Sequence, residues 1–278
     1  MRIGIIGYGS MGKMLLEKFA AHHAAEELLV SNRSAEKLRD VQHCCTVCGT
    51  NRALAERADM IFLCVRPADM PAVLSEIRGA VQPDALLVSL NGSVPFSAIG
   101  RILPHKTAKV IPGVTAEIDR SQTLICYHES VTDADRQRLA SLMRCIGDVT
   151  VLPESELGMG AELVSCMPGF LASMLNVLCR EAERHTALPA PQIAEMVLRT
   201  TAATAALMTE TGMDFAEVVS RVATKGGITE AGTAVIESQF PETAAALFER
   251  TLDKRAQTAL QASAAFAAAS EYHREGLP

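Results

Sequence analysis

Arg2-Ile3-Gly4-Ile5-Ile6-Gly7-Tyr8-Gly9-Ser10-Met11-Gly12-Lys13-Met14-Leu15-Leu16 is the stretch whose reading decides the fold of this chain. Ile3, Ile5 and Ile6 form a short apolar run of the kind that makes a buried parallel strand. The run breaks at Gly7-x-Gly9-x-x-Gly12, and Met14 to Ala21 then reads as a helix. Gly7 allows a tight turn, Gly9 lets backbone approach a pyrophosphate, and Gly12 lets the helix pack close to the strand. Ser10 and Met11 lie where the helix begins. Their unpaired N–H groups and the positive end of the helix dipole favour a diphosphate there. A glycine-rich turn without a ligand shares the pattern. The placement between strand and helix favours a dinucleotide.

Working outward, Glu27 to Ser31 is the second strand. An enzyme using NAD usually carries Asp or Glu at its end to hold the ribose hydroxyls. This chain has Asn32-Arg33-Ser34 instead. Arg33 offers a fork of donors to a 2′-phosphate, and Asn32 and Ser34 add neutral ones, so NADP (NADPH) is expected over NAD. A helix is predicted over 35–40, a short strand at Thr46-Val47, and a helix from Asn51, itself a cofactor-binding candidate. Met60 to Val65 is a continuous apolar strand ending in Val65-Arg66-Pro67, on the edge where open α/β sheets bind ligands. Further strands are read at 86–90, 109–112, 124–127 and 149–152. The alternation predicts an α/β fold with an N-terminal doubly wound Rossmann sheet.

Beyond Pro153 the strand-like runs stop, and Ala, Leu, Met and Glu dominate. Domains are therefore expected at 1–153, binding NADP, and at 154–278, all helical. A long helix is predicted from about Glu156 to His185, then helices from Pro191, after Asp214 and near Ile228, with Pro241 opening a last one. Phe248, Leu252, Ala256 and Leu260 form a stripe on it, expected to be core or subunit contact.

With 278 residues, 49% hydrophobic and 21% charged, the chain has the composition of an ordinary globular protein. The net charge of -6 argues against nucleic acid or an anionic membrane as main partner. No secretory leader or membrane span is expected, which points to the cytoplasm. Cys44, Cys45 and Cys48 lack a second C-x-x-C pair, so no metal site is expected, and the cysteines read as reduced small hydrophobes. Their particular role stays open.

Together with Gly-x-Gly-x-Met, the motifs Val65-Arg66-Pro67, Lys109-Val110-Ile111-Pro112 and Gly226-Gly227-Ile228-Thr229-x-Ala231 resemble pyrroline-5-carboxylate reductases over nearly the whole chain. The resemblance implies a Rossmann domain followed by a helical domain that interlocks with its twin in a homodimer. It also implies NADPH-dependent reduction of a small-molecule cyclic imine, 1-pyrroline-5-carboxylate, to L-proline. Thr229 then matches the threonine near the imine nitrogen and is the catalytic candidate. Lys225, Gly226, Gly227 and Ile228 are the substrate-binding candidates, their backbone receiving the substrate carboxylate. The match is that of a divergent member. Thr224-Lys225 replaces Ser-Pro in the signature, Ile228 replaces its first threonine, and Val164, Cys166 and Met167 replace small residues. Another imine substrate, or a non-catalytic NADP-binding regulatory paralogue, is the alternative. A 3-hydroxyacid dehydrogenase is disfavoured, because no lysine lies between Lys109 and Lys225 to transfer the proton.

Overall fold

The computed structural model describes residues 1–274. It forms two compact units, one made of Met1–Cys166 with the segment from Leu252 onward, the other of Met167–Thr251.

The first unit is built on an eight-stranded sheet. Its strands are β1 (Ile3–Ile6), β2 (Leu28–Ser31), β3 (Thr46–Val47), β4 (Met60–Leu63), β5 (Leu86–Ser89), β6 (Thr107–Ile111), β7 (Ser121–Tyr127) and β8 (Gly147–Val151). The order is β3-β2-β1-β4-β5-β6-β7-β8, and every pair is parallel except β6 with β7. The order reverses between β1 and β4, where Ile6 pairs with Leu63 on one side and Ser31 on the other. Ligands of doubly wound sheets bind at this switch point.

Helices α1 (Ser10–Ala20), α2 (Asn51–Ala55), α3 (Met70–Ile77), α4 (Phe96–Ile102) and α5 (Asp133–Met143) cover the sheet. Alternate residues of each strand feed opposite faces. Ile3, Ile5, Phe62 and Val88 join Leu15 and Phe19 on one face; Ile6, Leu29, Ile61 and Leu87 join Leu74 and Ile99 on the other. The segment Ala35–Val41, expected as a helix, is a 3₁₀ turn sequence that buries only Leu38.

The run 154–185 is helical throughout, as expected, but not uniform. It consists of α6 (Leu157–Ala161), a π-helical turn (Glu162–Cys166), α7 (Met167–Ala182) and flanking 3₁₀ turns. Inserting one residue into the helical ladder in this way marks functional sites more often than chance. The second unit contains α7, α8 (Ala190–Thr211), α9 (Phe215–Val222) and the first part of α10 (Ile228–Arg274). Asp214 caps α9 in a capping box with Glu217. Two helices were expected where α10 is one: Pro241 lies inside it. Proline forfeits one backbone hydrogen bond and crowds the carbonyl four residues back, and this exposed helix carries that cost without breaking.

The predicted stripe on α10 is not what its tail buries. Leu260 is 71% exposed, while Ala262 and Phe266 are buried in the core beside Ile61 and Leu74.

Candidate active site

At the switch point the loop after β1 is shaped by two glycines. Gly7 has φ +98°, and its N–H donates to the Ser31 carbonyl at 2.9 Å. A side chain there would meet the Cys64 carbonyl at 2.6 Å, and one at Gly12 would meet the Gly7 carbonyl at 2.0 Å. Helix and strand therefore touch backbone to backbone. The space beside Gly9 is open: a Cβ there would have no neighbour within 4 Å. Lys13 N–H donates to the Gly9 carbonyl, but no described residue accepts from Ser10 or Met11 N–H. Free donors thus stand at a helix start beside open space, a cradle whose charge suits a diphosphate.

Asn32 braces the cradle. Its Oδ1 accepts from Tyr8 N–H at 3.0 Å and its Nδ2 donates to the Ser34 carbonyl at 3.0 Å. Arg33 between them is exposed. Asn51 is also held, accepting from the Ser31 hydroxyl at 2.8 Å and donating to Glu76 through Nδ2 at 2.6 Å. On the β4 side, Arg66 Nε donates to Asp69 at 2.8 Å. That bond is the main reason why the Asp69 carboxyl lies below its ordinary range, and the Arg33 charge adds to it. The Val65 carbonyl accepts from Asn91 Nδ2 at 2.9 Å. Gly7, Gly9, Ser10, Met11, Gly12, Asn32, Arg33, Ser34, Asn51, Val65, Arg66 and Pro67 thus share one sheet edge. Sequence reading missed Asp69, Glu76 and Asn91. The Arg66-x-x-Asp69 spacing was the one local signal for any of them.

Further along the same edge, Lys109 is buried on β6. Its ammonium lies 2.5 Å from Glu154 Oε1 and 4.6 Å from the Phe96 ring centroid. The Val164 carbonyl of the π turn backs onto Gly113, 3.1 Å from where a Cβ would stand. Glu162 at the head of that turn is 1% exposed, and its Oε1 accepts from Arg255 Nε at 2.9 Å and Nη2 at 2.6 Å. Its Oε2 is buried without a hydrogen-bond partner among the described residues. Burial, with the Glu162 carboxylate adding to it, raises the Cys166 thiol.

The remaining candidates lie in the second unit, at the start of α10. Gly227 N–H donates to the Thr224 carbonyl at 2.8 Å, and Gly226 N–H donates to Glu230 Oε2 at 2.6 Å. No described residue accepts from the Ile228 or Thr229 N–H. Ile228 is 94% exposed, Thr229 half-buried and Lys225 exposed.

Of two surface concavities of about 440 and 600 Å³, the larger runs along α1 from Ser10 and Lys13 at its start to Glu117 and Asp119. His128 lines the smaller one, with Nδ1 on the Ser130 hydroxyl at 2.8 Å and its ring edge-on to Phe96. Of the candidate residues, Ser10 alone lines either of them.

Residues 2–92 match the family model described as NADP oxidoreductase coenzyme F420-dependent, and residues 154–258 match Pyrroline-5-carboxylate reductase dimerisation. Pyrroline-5-carboxylate reductase 3 of Bacillus subtilis (strain 168) is 29% identical over 258 residues, 91% of this chain and 95% of that protein. ComE operon protein 4 of the same organism is 24% identical over 90% of this chain and 94% of that protein. Among solved structures, the Plasmodium falciparum pyrroline carboxylate reductase with NADP bound has a TM-score of 0.82 at 18% identity, covering 93% of this chain and 98% of that one. The 1-pyrroline-5-carboxylate reductase of Streptococcus pyogenes has 0.83 at 19%, covering 92% and 98%.

Proposed function

Because this chain belongs to the pyrroline-5-carboxylate reductase family, we propose that it is an NADPH-dependent reductase of a cyclic imine carboxylate, with 1-pyrroline-5-carboxylate to L-proline as the leading reaction. The observation that carries this reading is that one chain holds both the cradle at Gly7–Gly12 and the loop 225–229 at the head of a long helix.

The cradle fits a dinucleotide: free N–H groups at Ser10 and Met11, open space at Gly9 and an exposed Arg33 suit a diphosphate and a 2′-phosphate. Bound there, NADPH supplies the hydride. The chain's own residues do the rest. Gly7 and Gly12 keep the backbone out of the way, and Asn32 holds the loop in shape. The Thr229 hydroxyl donates to the imine nitrogen, which makes the adjacent carbon a better hydride acceptor. The backbone of 226–228, with the Lys225 cation nearby, receives the substrate carboxylate.

The division of labour in this reading follows the two halves of the sequence, 1–153 for the cofactor and 154–278 for substrate and dimerisation. The helical half leaves Leu171, Leu178, Met196, Leu198, Phe215 and Phe240 exposed on a single chain. The run 154–185 is long and apolar enough to cross a membrane by length and composition. We assign these surfaces to a twin subunit and the protein to the cytoplasm. A screen of NADPH oxidation over pyrroline-5-carboxylate, pyrroline-2-carboxylate, their six-membered analogues and carboxylate-free imines tests the reading. Turnover of a carboxylate-bearing cyclic imine supports it, and turnover of carboxylate-free imines alone refutes the role given to the loop. The similarity to ComE operon protein 4, whose name states no reductase activity, and the altered signature loop favour a regulatory NADP-binding role as the second reading. Absence of turnover with any imine selects that one.

A further inference from the structure

Cys44 and Cys45 stand side by side in the turn that joins the 3₁₀ segment Ala35–Val41 to β3, and both thiols turn to the same atom. Cys44 Sγ donates to the Val41 carbonyl at 3.3 Å and Cys45 Sγ donates to it at 3.2 Å. Cys44 N–H donates to that carbonyl as well, at 3.0 Å. Neighbouring residues of an extended chain send their side chains to opposite sides. Here the turn brings the two sulfurs together, no further apart than those two thiol distances laid end to end. A carbonyl oxygen has two lone pairs, so of its three donors the thiols, the weakest, are held lightly. Cys48 is no part of this pair, although Cys45-x-x-Cys48 reads as a motif. Cys45 packs into the core on one face of the sheet and Cys48 into the core on the other, where Arg57 Nη1 approaches its sulfur at 4.0 Å. Cys44 is half-buried and Cys45 is 5% exposed, so a reagent enters at Cys44. Burial raises the Cys45 thiol and makes it a poor nucleophile toward a reagent free in solution. Toward a reagent already tethered through Cys44 it stands at high effective concentration. The pair therefore favours electrophiles that take two thiols over those that take one.

We propose that Cys44 and Cys45 form a dithiol site for trivalent arsenicals, which close a chelate across the two adjacent residues beside the edge strand β3. With an organoarsenic oxide two As–S bonds form, two S–H bonds break, and both protons leave with the arsenical oxygen as water. Arsenic stays trivalent, and nothing is oxidised or reduced. The site is independent of the imine-reduction reading.

The test treats the folded full-length protein with phenylarsine oxide and reads its intact mass. The chain should gain one phenylarsenic group in place of two protons. The adduct should survive excess 2-mercaptoethanol and be removed by 2,3-dimercaptopropanol, because one thiol cannot compete with a chelate and a second dithiol can. Peptide mapping of the parent should place it on the peptide that carries Cys44 and Cys45. Cys44→Ser changes the half-buried member and should weaken phenylarsine oxide binding by about tenfold or more, since the remaining thiol has lost its tethered partner. Cys45→Ser should do the same, and Cys48→Ser should leave binding within about twofold of the parent. Should Cys45→Ser fail to fold, the mapping and Cys44→Ser decide the matter without it. A parent adduct stripped by 2-mercaptoethanol, no adduct at all, undiminished binding in Cys44→Ser, or mapping to any other cysteine would each overturn the proposal.

Discussion

At the scale of single residues, the site separates side chains that build from those free to bind. Asn32 and Asn51 were both read as cofactor ligands, yet their amides are spent on Tyr8, Ser34, Ser31 and Glu76. Arg33 is the exposed one. Arg33→Ala should weaken NADPH binding by about 1–3 kcal/mol, the range for a charge-assisted contact, and leave NADH nearly unaffected. Fluorescence titration of both cofactors checks this, and an equal loss for both would remove the 2′-phosphate assignment. Thr229→Val keeps the shape and deletes the hydroxyl. Turnover should fall roughly tenfold or more, about 1.4 kcal/mol, with NADPH affinity unchanged. The glycine turn was legible because its geometry is local in sequence, and the roles given to Arg33 and Thr229 are the proposals that these two variants test. Glu162 and Arg255 were not, since 93 positions separate them and only the fold joins them. Burial pushes the Cys45 thiol up to about 12, with Cys44 adding to it. At pH 8 iodoacetamide should therefore leave Cys45 unmodified in the folded protein and label it in urea, as mass spectrometry of the peptides would read out.

At the scale of elements, strand positions followed directly from the apolar runs, because a strand buried on both faces has no polar alternation to confuse. The π turn left no such trace, as its sequence is helix-compatible throughout. Its buried carboxylate rests on one guanidinium. Arg255→Met should cost roughly 3–5 kcal/mol by stranding Glu162, measured as a lower urea midpoint, whereas pairing it with Glu162→Gln should recover much of the loss. The start of α5 carries a comparable device. Burial acts to raise the Asp135 carboxyl, but hydrogen bonds from Thr132, Lys106 and Arg138 outweigh it and hold the group below the ordinary aspartate value. A depressed carboxyl contributes stability that is present above about pH 4, its unfolded value, and lost as pH falls through the folded one. Asp135→Asn should therefore lower stability at neutral pH and flatten its fall in acid, as denaturant melts between pH 7 and 3 would record.

At the scale of the whole molecule, the doubly wound architecture could be foreseen from alternation. The fate of α10 could not, because period alone does not say which of several apolar stripes meets the sheet. The exposed apolar side chains of the second unit predict an obligate homodimer, for which light scattering at low micromolar concentration should return twice the chain mass. A stable monomer there would contradict it. The burial of Ala262 and Phe266 in the core formed by Ile61, Leu74 and Ile99 has a consequence for how the protein is made. The strands of that core leave the ribosome long before Ala262 and Phe266, which complete the face that α3 and α4 cover in part. That face of the nascent sheet therefore stays incomplete until those two residues have emerged. A stop codon placed just before Ala262 would then harm the amino-terminal half of the protein, far from the residues it deletes.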